Sequence, residues 1–579
     1  MSIRIALHKL YSLTSLILTA ALALLALPSG VQASITWNLG SGGNWDISTA
    51  NWTGDGGATT TNFVDDGTVD VLFTNNAGGT ITISPNMSPL STTVSAASGT
   101  YIFTNGPIDS GTLTKSGAGT LTLSSSNSIS GVTLNAGTVS VRNNYGIGTN
   151  TLTINGGTFD VLNVTLPSIP IVVNNSCTFF CASANNFSSG TGPVTLNTNA
   201  TVTLSLGQSP NLANAINNNG YTLTLINTQD GGTTISGKIT GSGGLTLRND
   251  LTGNSKTLTI NNSTSDFTGP TVLQSSTAAN LAIVTPNLSN AGAAGSLGKP
   301  TGANAVIQVN NGVVWQPGGT TDRGVNLASS GAGTVQLTVL NASGNATLNG
   351  PITATGTGAK TLYVNLPWNN PVSLTIGAIS DVSDGSPLSL NFFPGYTDGG
   401  NFATLNLNGV NTFTGPITYL PQVGTPNKFN SAINITGAGQ LGSGNYANTI
   451  NLSSTTWARF TYNSSANQIL SGVISGAGQL IMSGAGALTL SAANTFFGST
   501  TVNSGKTLTL NNNLALQNST LDTANGSIVL NSGITTPTIG GLNGSRNLAT
   551  MITNGYGNVT ALTLNMLPGV SATYSGVIT

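Results

Sequence analysis

The stretch from Gly478 to Leu510, GQLIMSGAGALTLSAANTFFGSTTVNSGKTLTL, constrains the fold of this chain more than any other. Leu488-Thr489-Leu490 and Thr507-Leu508-Thr509-Leu510 alternate apolar with hydroxyl side chains, and between them lie Asn, Ser and Gly with one aromatic pair, Phe496-Phe497. A strand turns successive side chains to opposite faces, so this alternation describes strands buried on one face only. The Gly/Asn/Ser clusters supply the turns. Related copies recur along almost the whole sequence, which makes this a repeat protein. Repeats that stack bury one continuous core, so length here counts coils rather than globular domains.

Composition points the same way. The acids of this chain are all Asp, with no Glu, and only 29 residues are charged while 75 are Gly. Exposed helix faces are ordinarily built from Glu, Lys, Gln and Arg, so little is available for amphipathic helices, and an all-β fold follows. The 38% apolar content and low net charge set the sequence apart from ordinary disorder. Without Arg4 and Lys9 the formal charge is −3, with 12 basic against 15 acidic residues. That excludes binding to nucleic acid through clustered Lys and Arg.

Residues 1–33 read as an export leader: a basic start at Arg4, His8 and Lys9, an apolar run from Leu16 to Leu27, and Val31-Gln32-Ala33 before Ser34. The run is too short to span a bilayer, and its small terminal residues predict cleavage between Ala33 and Ser34. The alternative is an uncleaved anchor. Cleavage would remove His8, the sole histidine, and with it His-based triads and His-ligated zinc.

Residues 34–104 differ from the remainder of the chain. They hold Trp37, Trp45 and Trp52, half of the tryptophans, and Asp46, Asp55, Asp65, Asp66 and Asp70, a third of the acids. The open end of a solenoid core needs a bulky cover, so this region is expected to be a cap. A sugar-stacking surface or a Ca²⁺ site is the alternative.

From residue 105 to 579 three landmarks recur in fixed order. Gly-x-Ile-[Asp/Ser/Thr] opens modules near 106, 237, 377, 472 and 576. An Asn/Ser turn closed by Gly comes next, at Asn127–Gly131, Ser265–Gly269, Asn411–Gly415 and Asn494–Gly498. A third landmark comes later, at Tyr145–Gly148, Gly295–Gly298, Gly439–Gly442 and, degenerate, Leu514–Gln517. Chance matches would not preserve the order.

Ser116-Gly-Ala-Gly-Thr-Leu-Thr-Leu123, and Ser483-Gly-Ala-Gly-Ala-Leu-Thr-Leu490 followed by Asn494-Thr-Phe-Phe-Gly498 and Thr500 to Leu508, resemble the autotransporter-associated β-strand repeat family. The resemblance implies a secreted or cell-surface passenger built as a right-handed parallel β-helix, often followed by an outer-membrane barrel or a sorting tail. No set of barrel strands closes this sequence, which stops at the opening of a fifth module. The expectation is a fragment, with outer-membrane attachment only through a C-terminal region not present here. A β-prism or sandwich array is the runner-up fold, kept open by Asn-Gly steps such as Asn155-Gly156.

Motifs with chemical meaning weigh little. Gly437-Ala-Gly439-Gln-Leu-Gly442 matches GxGxxG but no helical pattern comes after it, and Gly505-Lys506-Thr507 lacks the earlier glycine of a phosphate loop. No cofactor is expected. Asp381 and Asp384 could serve a polysaccharide-active site, for which at least three charges, Lys360 among them, would share one groove; two Asp in an exposed turn are the simpler reading. Arg248 and Asp250 read as a polar turn. Cys177 and Cys181 predict a disulfide in an exported protein, which requires a turn through Thr178–Phe180 because an extended strand sets them about 13 Å apart. Two buried thiols are the alternative. The functional expectation is a secreted or cell-surface structural or adhesive β-helix without catalysis, with extracellular glycans or surface components as partners. A β-helical polysaccharide-binding or polysaccharide-degrading protein is the alternative.

Overall fold

The computed structural model describes residues 34–578 except 55–58, 182–189, 208–209, 229–231, 251–256, 276–281, 329–330, 339–344, 367–371, 395–402, 421–430 and 453–457. The leader expected over 1–33, with Ala33, lies outside these residues; Ser34 opens the first strand. The chain forms two compact units, residues 1–160 and 161–579, each a parallel β-solenoid.

In the first unit the strands Asp70–Phe73, Ser91–Val94, Thr112–Lys115 and Gly131–Leu134 stack in parallel, one per coil. A second flank stacks Gly78–Ile83, Thr100–Asn105, Thr120–Leu123 and Thr138–Val141. Thr-Leu alternation sets the register: Leu121 lies between Tyr101 and Val139, and Leu123 between Phe103 and Val141, all buried. The ladder passes residues 104 and 105 without a break.

Near the start, Trp37↔Trp52 and Thr53↔Thr60 are antiparallel pairings in an otherwise parallel unit. Trp37, Trp45 and Trp52 are buried with Phe63 and Phe73. Trp37 and Trp52 meet edge to face at 5.1 Å, and Trp45 contacts Trp52 at 5.4 Å and Phe63 at 5.5 Å. Rings packed against one another have no open face, so they form no sugar-stacking surface.

In the second unit every described pairing is parallel, and one flank is a 21-stranded sheet running from Asn211–Leu212 to Thr563–Leu564. Its last coils add a six-stranded flank in which Leu488, Leu508, Ile528 and Ile552 form one inward column and Leu490, Leu510 and Leu530 another. Each such side chain, fully buried, contributes about 1.5–3 kcal/mol. The α-helical content of the described residues is the single turn Leu548–Met551. The expected all-β solenoid is the observed fold.

Candidate functional site

The chemistry of this chain is concentrated at one kind of corner, where the three landmarks meet. The backbone N–H of the landmark isoleucine donates to the side chain that opens the second landmark one coil on: Ile108 to Asn127 Oδ1 (2.8 Å), Ile379 to Asn411 Oδ1 (3.1 Å), Ile474 to Asn494 Oδ1 (2.8 Å), and Ile239 to Ser265 Oγ (3.1 Å). Each asparagine then donates from Nδ2 to the second residue of the third landmark, one coil further: to the carbonyls of Gly146 (2.6 Å), Gln440 (3.0 Å) and Ala515 (3.0 Å). One amide thus ties three successive coils. All four opening residues are buried, so the bonds they make satisfy groups that water cannot reach.

The apolar residue beside each staple fills the core. Ile129, Phe267, Phe413 and Phe496 are buried, as are Ile147, Leu297, Leu441 and Leu516 of the third landmark. The landmark glycine has a steric cause: a β-carbon on Gly472 or Gly237 would strike the carbonyl oxygen of Asn448 or Asn214 in the preceding coil. Gly486, in the Ser-Gly-Ala-Gly turn, faces the Ala466 carbonyl in the same way.

The acids of the alternative, polysaccharide-active reading bind backbone. Asp381 accepts from the backbone N–H groups of Leu388 (2.8 Å) and Thr414 (2.9 Å) and from Thr414 Oγ1 (2.7 Å). Asp384 accepts from the N–H groups of Ser386 (2.8 Å) and Gly358 (2.9 Å), which hold its carboxyl below the usual carboxylate range. Lys360 is buried and donates to the Gly331 carbonyl at 2.8 Å. Each of these three charges is therefore taken up by hydrogen bonds to backbone, with Asp384 and Lys360 both bound to the 357–358 stretch.

Among the described residues, no three His, Cys, Asp or Glu side chains come together as metal ligands. Asp46, Asp65, Asp66 and Asp70 each accept hydrogen bonds from nearby Ser or Thr, and Asp55 lies outside the described residues. Arg248 pairs with Asp250 (2.6 Å), but it lies within the strand Leu245–Asn249 rather than in the expected turn; Arg142 pairs with Asp160 (2.6 Å). Gly437–Gly442 opens no helix: a two-residue strand, Gln440–Leu441, interrupts it and a 3₁₀ turn comes after.

The expected disulfide is corrected. Cys177–Cys181 is one uninterrupted strand whose residues pair in register with Val202 to Leu206, so no turn brings the sulfurs together and no bridge joins them. Both cysteines point into the core, and burial pushes the Cys177 thiol up to about 12.

Sequence reasoning missed a set of buried cations. Lys115 lies in the inward column between Val94 and Leu134 and donates to the Gly117 and Ala136 carbonyls. Arg323, also buried, donates from Nε to the Ala305 carbonyl (2.8 Å) and from Nη1 to the Leu297 carbonyl (2.7 Å). The signal was present: in Thr112-Leu-Thr-Lys115 the alternation that turns Leu113 inward turns Lys115 inward too.

Residues 113–141 and 480–510 fit one family model. They match the passenger-associated-transport-repeat family. No curated protein and no solved structure matches the chain. The two matched repeats contain the stapling residues Asn127 and Asn494, those for which the first and second landmarks lie closest together. The repeat is therefore, in physical terms, two strands, a stapling asparagine and two more strands on successive coils. The modules around Ser265 and Asn411 keep that arrangement with longer excursions between coils, at spacings of 26 and 32 residues against 19 and 20.

Proposed function

We propose that this chain is a non-catalytic structural length of an exported passenger, displayed outside the cell, with residues 34–104 covering one end of its core. The observation that carries this reading is where the polar side chains go: the stapling asparagines, the buried Lys115 and Lys360, and Asp381 and Asp384 bind the backbone of their own or neighbouring coils, which commits these groups to holding the solenoid. The passenger-associated-transport repeats at 113–141 and 480–510 support export and surface display.

The test is protease shaving of intact cells that make the protein, followed by detection with antibody raised against residues 34–579. Loss of signal without lysis is expected; signal that persists until the cells are broken open would overturn surface display. Catalysis is tested separately with acidic polysaccharides. The degrading alternative needs a carboxylic acid kept protonated, whereas the hydrogen bonds on Asp384 favour its ionised form. Turnover abolished by Asp384→Ala would refute the non-catalytic reading.

A further inference from the structure

A groove of about 710 Å³ beside the last coils is not accounted for by the staples. Its floor is a column: Gln479, Ser499 and Thr520 each precede by one residue the positions Leu480, Thr500 and Leu521, which pair in register from coil to coil. Their side chains therefore stand on the outer face, one above another at the rung spacing of about 4.8 Å. Thr520 pairs in turn with Gly541, where a β-carbon would lie 3.3 Å from Ala572. The segment that carries Ser571 passes over that glycine and closes the groove at this end.

Two features mark this groove. Turn asparagines elsewhere are laddered, as Asn503 is to Ser483 and Asn531 to Asn511 (2.7 Å each), while outward threonines such as Thr489 and Thr509 stay open. In the groove, the side chains of Gln479, Ser499, Thr520, Asn543 and Ser571 make no hydrogen bond to any described residue. One wall is Phe497, which is 39% exposed, and the other is Leu567, Pro568 and Val570. The other three modules place Ser130, Thr268 or Thr414 there, and Ser130 and Thr414 hydrogen-bond to the preceding coil. An exposed ring thus replaces a bonded hydroxyl in one module alone.

We propose that this groove binds a neutral polysaccharide, laid along the column with a sugar ring against Phe497 and its hydroxyls on Gln479, Ser499, Thr520 and Asn543. No lining residue is charged, so an acidic or basic polymer finds no counter-charge. The strands under the groove are paired on both sides, so a peptide finds no free edge for strand addition. What the groove offers is a flat apolar face and regularly spaced amides and hydroxyls, the complement of an uncharged chain of sugar rings.

The test is titration calorimetry of the chain from Ser34 to Thr579 with hexasaccharides of β-1,4-glucan, β-1,3-glucan, mannan and xylan, and with oligogalacturonate as the anionic comparison. At least one neutral hexasaccharide is expected to bind with an affinity insensitive to salt. Phe497→Thr, which restores the residue type of the other modules, should weaken it about tenfold, and Phe497→Tyr should retain it. Circular dichroism of both variants checks the fold. Failure of all four neutral ligands to bind, a salt-sensitive preference for oligogalacturonate, or equal affinity in the folded Phe497→Thr variant would each overturn the proposal. None of these results bears on surface display, which the shaving experiment reads by itself.

Discussion

Replacing Lys115 by methionine should change how the stability of the first unit depends on pH. Lys115 is wholly buried in a column otherwise filled by Val94, Leu134 and Ile154, and it has carbonyl acceptors but no carboxylate. Burial lowers its pKa from 10.5 to about 8. The unfolded chain keeps the ordinary value, so between these limits it holds more protons than the folded chain, and the unfolding free energy rises with pH. The penalty for burying the charge is fully present below pH 8 and is relieved as pH approaches 10.5. A shift of this size corresponds to about 3 kcal/mol, of which about 2.5 kcal/mol is relieved between pH 7 and pH 10.

Other groups titrate in the same range, so the quantity to compare is the pH slope of the wild type against that of the Lys115→Met variant. Urea unfolding followed by the fluorescence of the buried Trp37, Trp45 and Trp52 cluster reads the unit that contains Lys115. The wild type should gain on the variant by about 2.5 kcal/mol from pH 7 to pH 10. Profiles that run parallel to within about 0.5 kcal/mol would refute a buried ammonium with a depressed pKa.

Asn494→Ala should leave the Ile474 N–H and the Ala515 carbonyl without partners and cost about 2–4 kcal/mol, read as faster amide exchange at Ile474 and in the coils on either side. Trp45→Ala should cost about 3–5 kcal/mol by opening a cavity against Trp52 and Phe63, measured by the urea midpoint at unchanged slope. Cys177 and Cys181 should resist iodoacetamide in the folded protein and both react after denaturation without reductant, read by intact mass; failure to react under those conditions would reveal a bridge. Gly472→Ala should destabilise its coil by several kcal/mol, because the methyl group meets the Asn448 carbonyl rather than a movable side chain, and thermal unfolding followed by circular dichroism would show it.

The solenoid was legible because alternation is a local property: Thr120-Leu-Thr-Leu123 and Thr507-Leu-Thr-Leu510 state which side chains are buried without reference to partners. The order of the landmarks was legible too, yet its cause was not, since the bonds of Asn127 join residues 19 positions away on either side. Cys177 and Cys181 were misread because export suggested a bridge, while the alternating CTFFC segment already described an extended strand with both sulfurs on one face. The groove was hidden for another reason: Gln479, Ser499 and Thr520 form a column only through inter-coil register, which no single segment encodes.

A staple that spans three coils also imposes a schedule on assembly. As the chain winds from its amino end, the amide of Ile474 stays open until Asn494 arrives 20 residues later, and Asn494 is itself half-bonded until Ala515 arrives after another 21. Each new turn completes a debt left by the one before and opens another. Winding from either end meets the same series of half-made bonds, so each turn is easier to add beside finished coils than to start alone.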